Sequence, residues 1–212
     1  MVKNVYILCI DDITPEMIAR VERQLPQRYA QAKRFRFEKG FLRSIGVGVL
    51  LLHVFPDLNE NLIRKNEFGK LSIVDHDECS ISHSGKYVVL VTDQNPIGID
   101  IEEITEIKEK HTMVSKKVFS PEERQWMQDD MSQRFFVLWT QKESLVKAVG
   151  CGITVPLAEC NVLPFEKGES VDYVQNRWFG ATTIYDNHCV SVCAQSPVDS
   201  VSFYRIGYST KS

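Results

Sequence analysis

The six cysteines of this 212-residue chain (Cys9, Cys79, Cys151, Cys160, Cys189 and Cys193) never fall into C-x-x-C spacing. That excludes the usual zinc ribbon and dithiol redox pair, and leaves small buried hydrophobes in a reducing compartment. Long apolar runs are missing too, so no membrane span is expected. The apolar start, Met1 to Ile10, runs into Asp11-Asp12 where a cleaved leader would have small residues. An unprocessed cytoplasmic protein is the expectation. Net charge is almost absent, at -3, which gives no general attraction to nucleic acid or to an anionic membrane. Neither a Walker-type lysine loop nor a dinucleotide fingerprint occurs, so any bound phosphate is held by other devices.

What is present is enough to build a core: 43% of the residues are hydrophobic. Val5 to Ile10 reads as a buried strand. Thr14-Pro15-Glu16 opens a helix with a capping hydroxyl, a proline that needs no partner for its missing N–H, and an early carboxylate. A basic stretch (Arg28, Lys33, Arg34, Arg36, Lys39) precedes a helical apolar set, Phe41, Leu42, Ile45, Val49 and Leu52. Tyr87 to Val91 and Ile97 to Glu102 read as two strands joined by the turn Asp93-Gln94-Asn95-Pro96, hence as a hairpin. Ser120-Pro121-Glu122-Glu123 is a capping box. Arg134 to Val149 is a longer helix stopped by Gly150. Four strands then follow as an antiparallel meander, the last at Val201 to Ile206. The composition changes after the acidic strand, and the chain divides into residues 1–102 and 103–212.

Three groups of residues bear on chemistry. Along the strand ending at Glu102, side chains alternate, so Ile97, Ile99 and Ile101 share one face while Gly98, Asp100 and Glu102 share the other. Two carboxylates on one side suit a hard cation such as magnesium, and the pair equally fits a solvated strand face. Trp139, Glu143 and Lys147 stand at i,i+4 positions, bringing a third carboxylate and an ammonium to one side of a helix. The same spacing also makes an ordinary surface ion pair. Ile81-Ser82-His83-Ser84-Gly85 gathers hydroxyls and an imidazole beside the strand that leads to the acids. The basic residues near Arg28 and Arg43 suit a polyanionic ligand.

Gly98-Ile99-Asp100-Ile101-Glu102 followed by Trp139-Thr140-Gln141-Lys142-Glu143-Ser144-Leu145-Val146-Lys147 resembles the paired signature of 4'-phosphopantetheinyl transferases. The likeness extends to Ile81-Ser82-His83-Ser84-Gly85, Phe68-Gly69-Lys70, Lys33-Arg34-Phe35 and Arg43-Ser44. It is to the monomeric, two-subdomain type that serves nonribosomal peptide and polyketide synthases.

The resemblance implies an α+β fold of two similar subdomains related by pseudo-two-fold symmetry, each a helix packed on an antiparallel sheet, with the site between them. It implies transfer of the 4'-phosphopantetheine arm of coenzyme A to a serine of an acyl or peptidyl carrier protein. Asp100, Glu102 and Glu143 would hold Mg2+, or Mn2+ in its place. Glu143, or else Glu102, would take the serine proton, and Lys147 would meet the leaving phosphate. Arg28, Lys33, Arg43, Ser44, Ser82 and His83 would bind coenzyme A. Two positions depart from the family pattern: Gln31 stands where a second lysine is common, which implies 3'-phosphate recognition that is either weaker or shifted to Lys33, and Leu71 stands where proline is common. The rival expectations are a non-catalytic module binding coenzyme A or carrier protein, and, more remotely, a metal-dependent nucleotide phosphohydrolase.

Overall fold

The structure is a computed structural model that describes residues 1–152 and 156–207. Its first half runs β1 (Val2–Cys9), α1 (Pro15–Gln24), α2 (Pro26–Ala32), α3 (Glu38–Val54), β2 (Ile63–Lys65), β3 (Leu71–Ile73), β4 (Glu78–Ser84), β5 (Tyr87–Asp93) and β6 (Ile97–Glu103). The second runs α4 (Glu109–Val118), α5 (Pro121–Met127), α6 (Met131–Val149), β7 (Val171–Tyr173), β8 (Asn176–Tyr185), β9 (His188–Ala194) and β10 (Ser200–Ile206). The mixture of helices with mostly antiparallel strands is the expected α+β class.

Local chemistry sets the helix ends. The Thr14 hydroxyl accepts from Met17 N at 3.3 Å to start α1. At α5 the capping box is complete: Ser120 Oγ accepts from Glu123 N at 3.2 Å, and Glu123 Oε2 accepts from Ser120 N at 2.7 Å. Gly150, at φ 76°, closes α6 in the left-handed region that a side chain would strain.

Two four-stranded sheets have the orders β10-β1-β5-β4 and β6-β9-β8-β7. A repeat is visible in them. Twice along the chain a strand, a long helix and then two strands give the order first-third-second with every pairing antiparallel: β1, α3, β4, β5 and β6, α6, β8, β9. The helices α3 and α6 cover the outer faces, packing on Leu8, Val88 and Leu90 in one half and on Cys189 and Cys193 in the other. The inner faces form a third core from Val5, Ile7, Val89, Val91, Ile97, Ile99, Ile101, Val190 and Val192. The alternation that sends the three isoleucines inward therefore holds.

Two expected pairings are corrected. No hairpin joins β5 to β6, because β5 already has β4 on one side and β1 on the other, whereas β6 pairs with β9. The Asp93 carboxylate, which takes Asn95 N at 2.8 Å and the Lys3 ammonium, holds the turn that makes this crossing. The last strand likewise leaves the meander: β9 is flanked by β6 and β8, so β10 crosses to the open edge of β1 and pairs with it in parallel. Each half thus lends a strand to the other's neighbourhood. A periodicity of two fixes which face a strand buries, not which strand lies beside it.

Candidate active site between the two sheets

The edges β4 and β6 meet, and serines at alternate positions of β4 bridge them. Ser80 Oγ accepts from Ile99 N at 3.1 Å, Ser82 Oγ donates to Asp100 Oδ1 at 2.7 Å, and Ser84 Oγ donates to Glu102 Oε2 at 2.8 Å while accepting from Glu103 N at 3.1 Å. A period of two on β4 is thereby matched to a period of two on β6. The carboxylates are fixed in register with the hydroxyls.

From the other side α6 lies directly on β6. A Cβ on Gly98 would sit 2.0 Å from Ser144 O and 2.4 Å from Ala148 N, so only glycine permits this approach. The approach brings Lys147 to the acid face: its ammonium is 2.6 Å from Asp100 Oδ1 and 2.9 Å from Ser82 Oγ. Asp100 is 4% exposed. Its Oδ2 is buried and has no hydrogen-bond partner.

Glu102 and Glu143 are half-buried beside it. Burial, and next the Asp100 charge, push the Glu102 carboxyl above its usual range, against the Ser84 and Trp139 hydrogen bonds and Lys147. Glu143 is raised by burial and by Asp100 and Glu102, with Lys147 opposing. His83 lines two adjoining cavities, and loss of solvation first, with Arg43 and Lys147, lowers its pKa although a backbone hydrogen bond and Asp100 oppose.

No group of three His, Cys, Asp or Glu side chains among the described residues is gathered closely enough to hold a metal ion unaided. Lys147 lies on one Asp100 oxygen and Ser84 on one Glu102 oxygen. The donor set nevertheless fits a hard cation. It consists of oxygens alone, one of them buried without a partner, and the neighbouring carboxylates help to raise the pKa of Glu102 and Glu143. Such a cation commonly draws its remaining ligands from water and phosphate.

Two adjoining cavities, of about 510 and 470 Å3, open over these residues and share Arg28, Val47 and His83. The first reaches Ser82, Glu143 and Lys147; the second reaches Arg43 and Ser44. Arg43 is held by the carbonyl of Gly85, its Nε donating at 3.0 Å. Arg28 Nε is buried with no partner, and burial lowers the pKa of its guanidinium, against the nearby Glu60. Asp100 and Glu102 lie behind Ser82 and Lys147 and line neither cavity, and of the residues expected to bind coenzyme A Lys33 alone lines neither. Its ammonium lies over the Tyr29 ring, 5.6 Å from the centroid, while Gln31, Arg34 and Phe35 line the second cavity instead. Sequence reading assigned no role to Lys65, which also lines the first cavity.

Lys142 has another place altogether. Its ammonium is fully buried, 3.0 Å from Glu123 and 2.8 Å from Leu157 O, where it ties α6 to α5 and to the segment that follows. Burial lowers its pKa, against the Glu123 charge and hydrogen bond.

Residues 96–193 match the family model described as the 4'-phosphopantetheinyl transferase superfamily. The chain is 34% identical over 168 residues to 4'-phosphopantetheinyl transferase gsp of Aneurinibacillus migulanus, an alignment covering 76% of this chain and 67% of that protein. It belongs to the 4'-phosphopantetheinyl transferase superfamily. Its likeness to 4'-phosphopantetheinyl transferase Sfp of Bacillus subtilis (strain 168) is 31% over 155 residues, covering 68% of each chain. To psf-1 of Bacillus pumilus, also named a 4'-phosphopantetheinyl transferase, it is 31% over 155 residues, covering 68% of this chain and 65% of the other. The matched region of the family model begins just before β6 and ends within β9, so it contains Asp100, Glu102, Glu143 and Lys147.

Proposed function

We propose that this enzyme transfers the 4'-phosphopantetheine arm of coenzyme A to a serine hydroxyl of an acyl or peptidyl carrier protein and releases adenosine 3',5'-bisphosphate. The observation that carries this reading is the meeting of Asp100, Ser82 and Lys147, which joins both signature segments at the wall of a cavity lined by basic residues. The serine oxygen forms a bond to the phosphorus bearing pantetheine. The bond from that phosphorus to the bridging oxygen breaks, and the oxygen leaves on the adenosine 5'-phosphate.

Asp100, Glu102 and Glu143 would hold Mg2+, or Mn2+ in its place. The ion would offset negative charge on the pyrophosphate. Glu143 takes the serine proton: burial and the neighbouring carboxylates raise its pKa, which makes it a stronger base than an ordinary carboxylate, and no hydrogen bond holds it among the described residues. Glu102 is the less suitable base because Ser84 already occupies one of its oxygens. Lys147, at the edge of the cavity, donates to the departing phosphate oxygen. Ser82 and His83 meet the pyrophosphate, and Arg28, Arg43 and Ser44 surround the adenosine 3'-phosphate. Arg34 is better placed than Lys33 to join them.

The division at residues 102 and 103 separates two subdomains that supply the two walls of this cleft. We read the enzyme as a monomer acting in the cytoplasm; no described helix is long and apolar enough to cross a membrane. The direct test is incubation with coenzyme A, magnesium and a panel of apo carrier proteins, followed by mass spectrometry. A carrier should gain one phosphopantetheine, and Asp100→Ala should abolish the gain. Coenzyme A binding without transfer to any carrier would favour a non-catalytic module.

A further inference from the structure

The loop between β2 and β3 touches both the cavity and the end of α6. Phe68, Gly69 and Lys70 line the cavity. Asn66 arranges them: its Oδ1 accepts from Phe68 N at 3.0 Å and from Lys70 N at 2.9 Å. The same side chain's Nδ2 donates to Gly150 O at 2.7 Å. Turning the amide over would set its N–H groups against two backbone N–H donors and its oxygen against a carbonyl, so the hydrogen bonds themselves fix its orientation. Lys70 adds a second tie, donating to Ala148 O at 2.9 Å, and a cation is favoured beside the negative end of a helix.

Both carbonyls belong to the turn that follows Lys147. On its other side that turn is pressed against Gly98, where Ala148 N and the Lys147 carbonyl carbon approach β6. The last turn of α6 is therefore held between the strand bearing Asp100 and the loop lining the cavity. Moving its end would move the Lys147 ammonium relative to Asp100, its partner at 2.6 Å.

We propose that Asn66 is a positioning residue for the transfer reaction, coupling the loop that contacts coenzyme A to the helix that carries Glu143 and Lys147. Asn66 itself lines neither cavity. It acts through the helix and rests on the assignment of the cavity to coenzyme A. Occupation of the loop by the nucleotide end of the substrate would thus steady the residues acting on the pyrophosphate.

Asn66→Asp is the informative variant, because it keeps the oxygen that accepts from Phe68 and Lys70 but has no donor for Gly150. Coenzyme A affinity is measured by calorimetry, steady-state rates with an apo carrier protein, and hydrogen exchange across residues 146–150, all against wild type. The variant should keep its coenzyme A Kd within about threefold, lose on the order of tenfold in kcat, and exchange faster in the last turn of α6. Asn66→Ala, which also frees the loop, should weaken coenzyme A binding in addition. A kcat equal to wild type in Asn66→Asp would overturn the coupling, as would a rise in KM and Kd with kcat intact. Failure of the wild-type protein to bind coenzyme A or to transfer would instead sink the proposed function, and the coupling with it.

Discussion

The ammonium of Lys147 lies 2.6 Å from Asp100 Oδ1, so a helix of the second half neutralises a carboxylate that the last strand of the first half has buried. The two side chains differ in exposure, 30% for Lys147 and 6% for Asp100. Removing the lysine leaves a buried charge without its partner, whereas removing the aspartate frees a lysine that can reach water. Lys147→Met should therefore cost about 1–3 kcal/mol of stability at neutral pH, below the range for a fully buried pair because solvent screens the lysine. Asp100→Asn should cost less. Transfer should fall on the order of 100-fold in Lys147→Met, through loss of charge at the leaving oxygen. Denaturation and kinetics on both single variants and the double variant measure the coupling, and additive effects would show that the contact matters little.

Ser84 offers a finer test of how the acids are aimed. Its hydroxyl joins Glu102 Oε2 to the backbone N–H of Glu103, so one oxygen fixes both the carboxylate and the strand carrying it. Ser84→Ala should lower kcat about tenfold with coenzyme A binding little changed, and should raise the magnesium concentration needed for half-maximal rate. Ser84→Thr, which keeps the hydroxyl, should restore most of the loss. Equal defects in the two variants would point to packing instead.

Much of this arrangement is legible in the sequence. Alternation along Gly98 to Glu102 gave the acid face and the buried isoleucines, and the residues at 14–16 and 120–123 gave two helix starts. The neighbours were not legible. A strand of period two reports its faces, and nothing in residues 97–103 names β9 as the partner. Asn66 carried no signal at all, because a single asparagine in a loop usually caps only its own turn. Lys33 lies just past the end of α2, with its ammonium over the Tyr29 ring, a placement that a resemblance at that position does not convey.

The turn after α2 separates two adjacent basic residues, Arg34 at the second cavity and Lys33 over the Tyr29 ring. Arg34→Ala should raise KM for coenzyme A several-fold and affect kcat little, since a guanidinium at the cavity binds substrate and transition state alike. Lys33→Ala should leave both constants near wild type. Dephospho-coenzyme A, lacking the 3'-phosphate, provides the control: the Arg34→Ala penalty should shrink with it. A larger effect from Lys33 than from Arg34 would reverse the assignment.

Glu143 links stability to activity with a definite sign. Burial and the neighbouring carboxylates raise its folded-state pKa above the ordinary 4.5, so between that value and the raised one the folded protein binds more protons than the unfolded chain. Its contribution to stability is full below the ordinary carboxylate range and is lost as pH rises through the folded pKa; Glu102 adds in the same direction. At neutral pH without metal both carboxylates thus strain the fold. Glu143→Gln should raise the melting temperature there, lose the advantage below about pH 4, and lower transfer at least 100-fold. Magnesium with coenzyme A should stabilise the wild-type protein more than Glu143→Gln, narrowing the gap between them. Melting curves across pH, with and without these ligands, decide the matter: a variant less stable than wild type at pH 7 and unchanged in its response to magnesium would remove Glu143 from the carboxylate cluster.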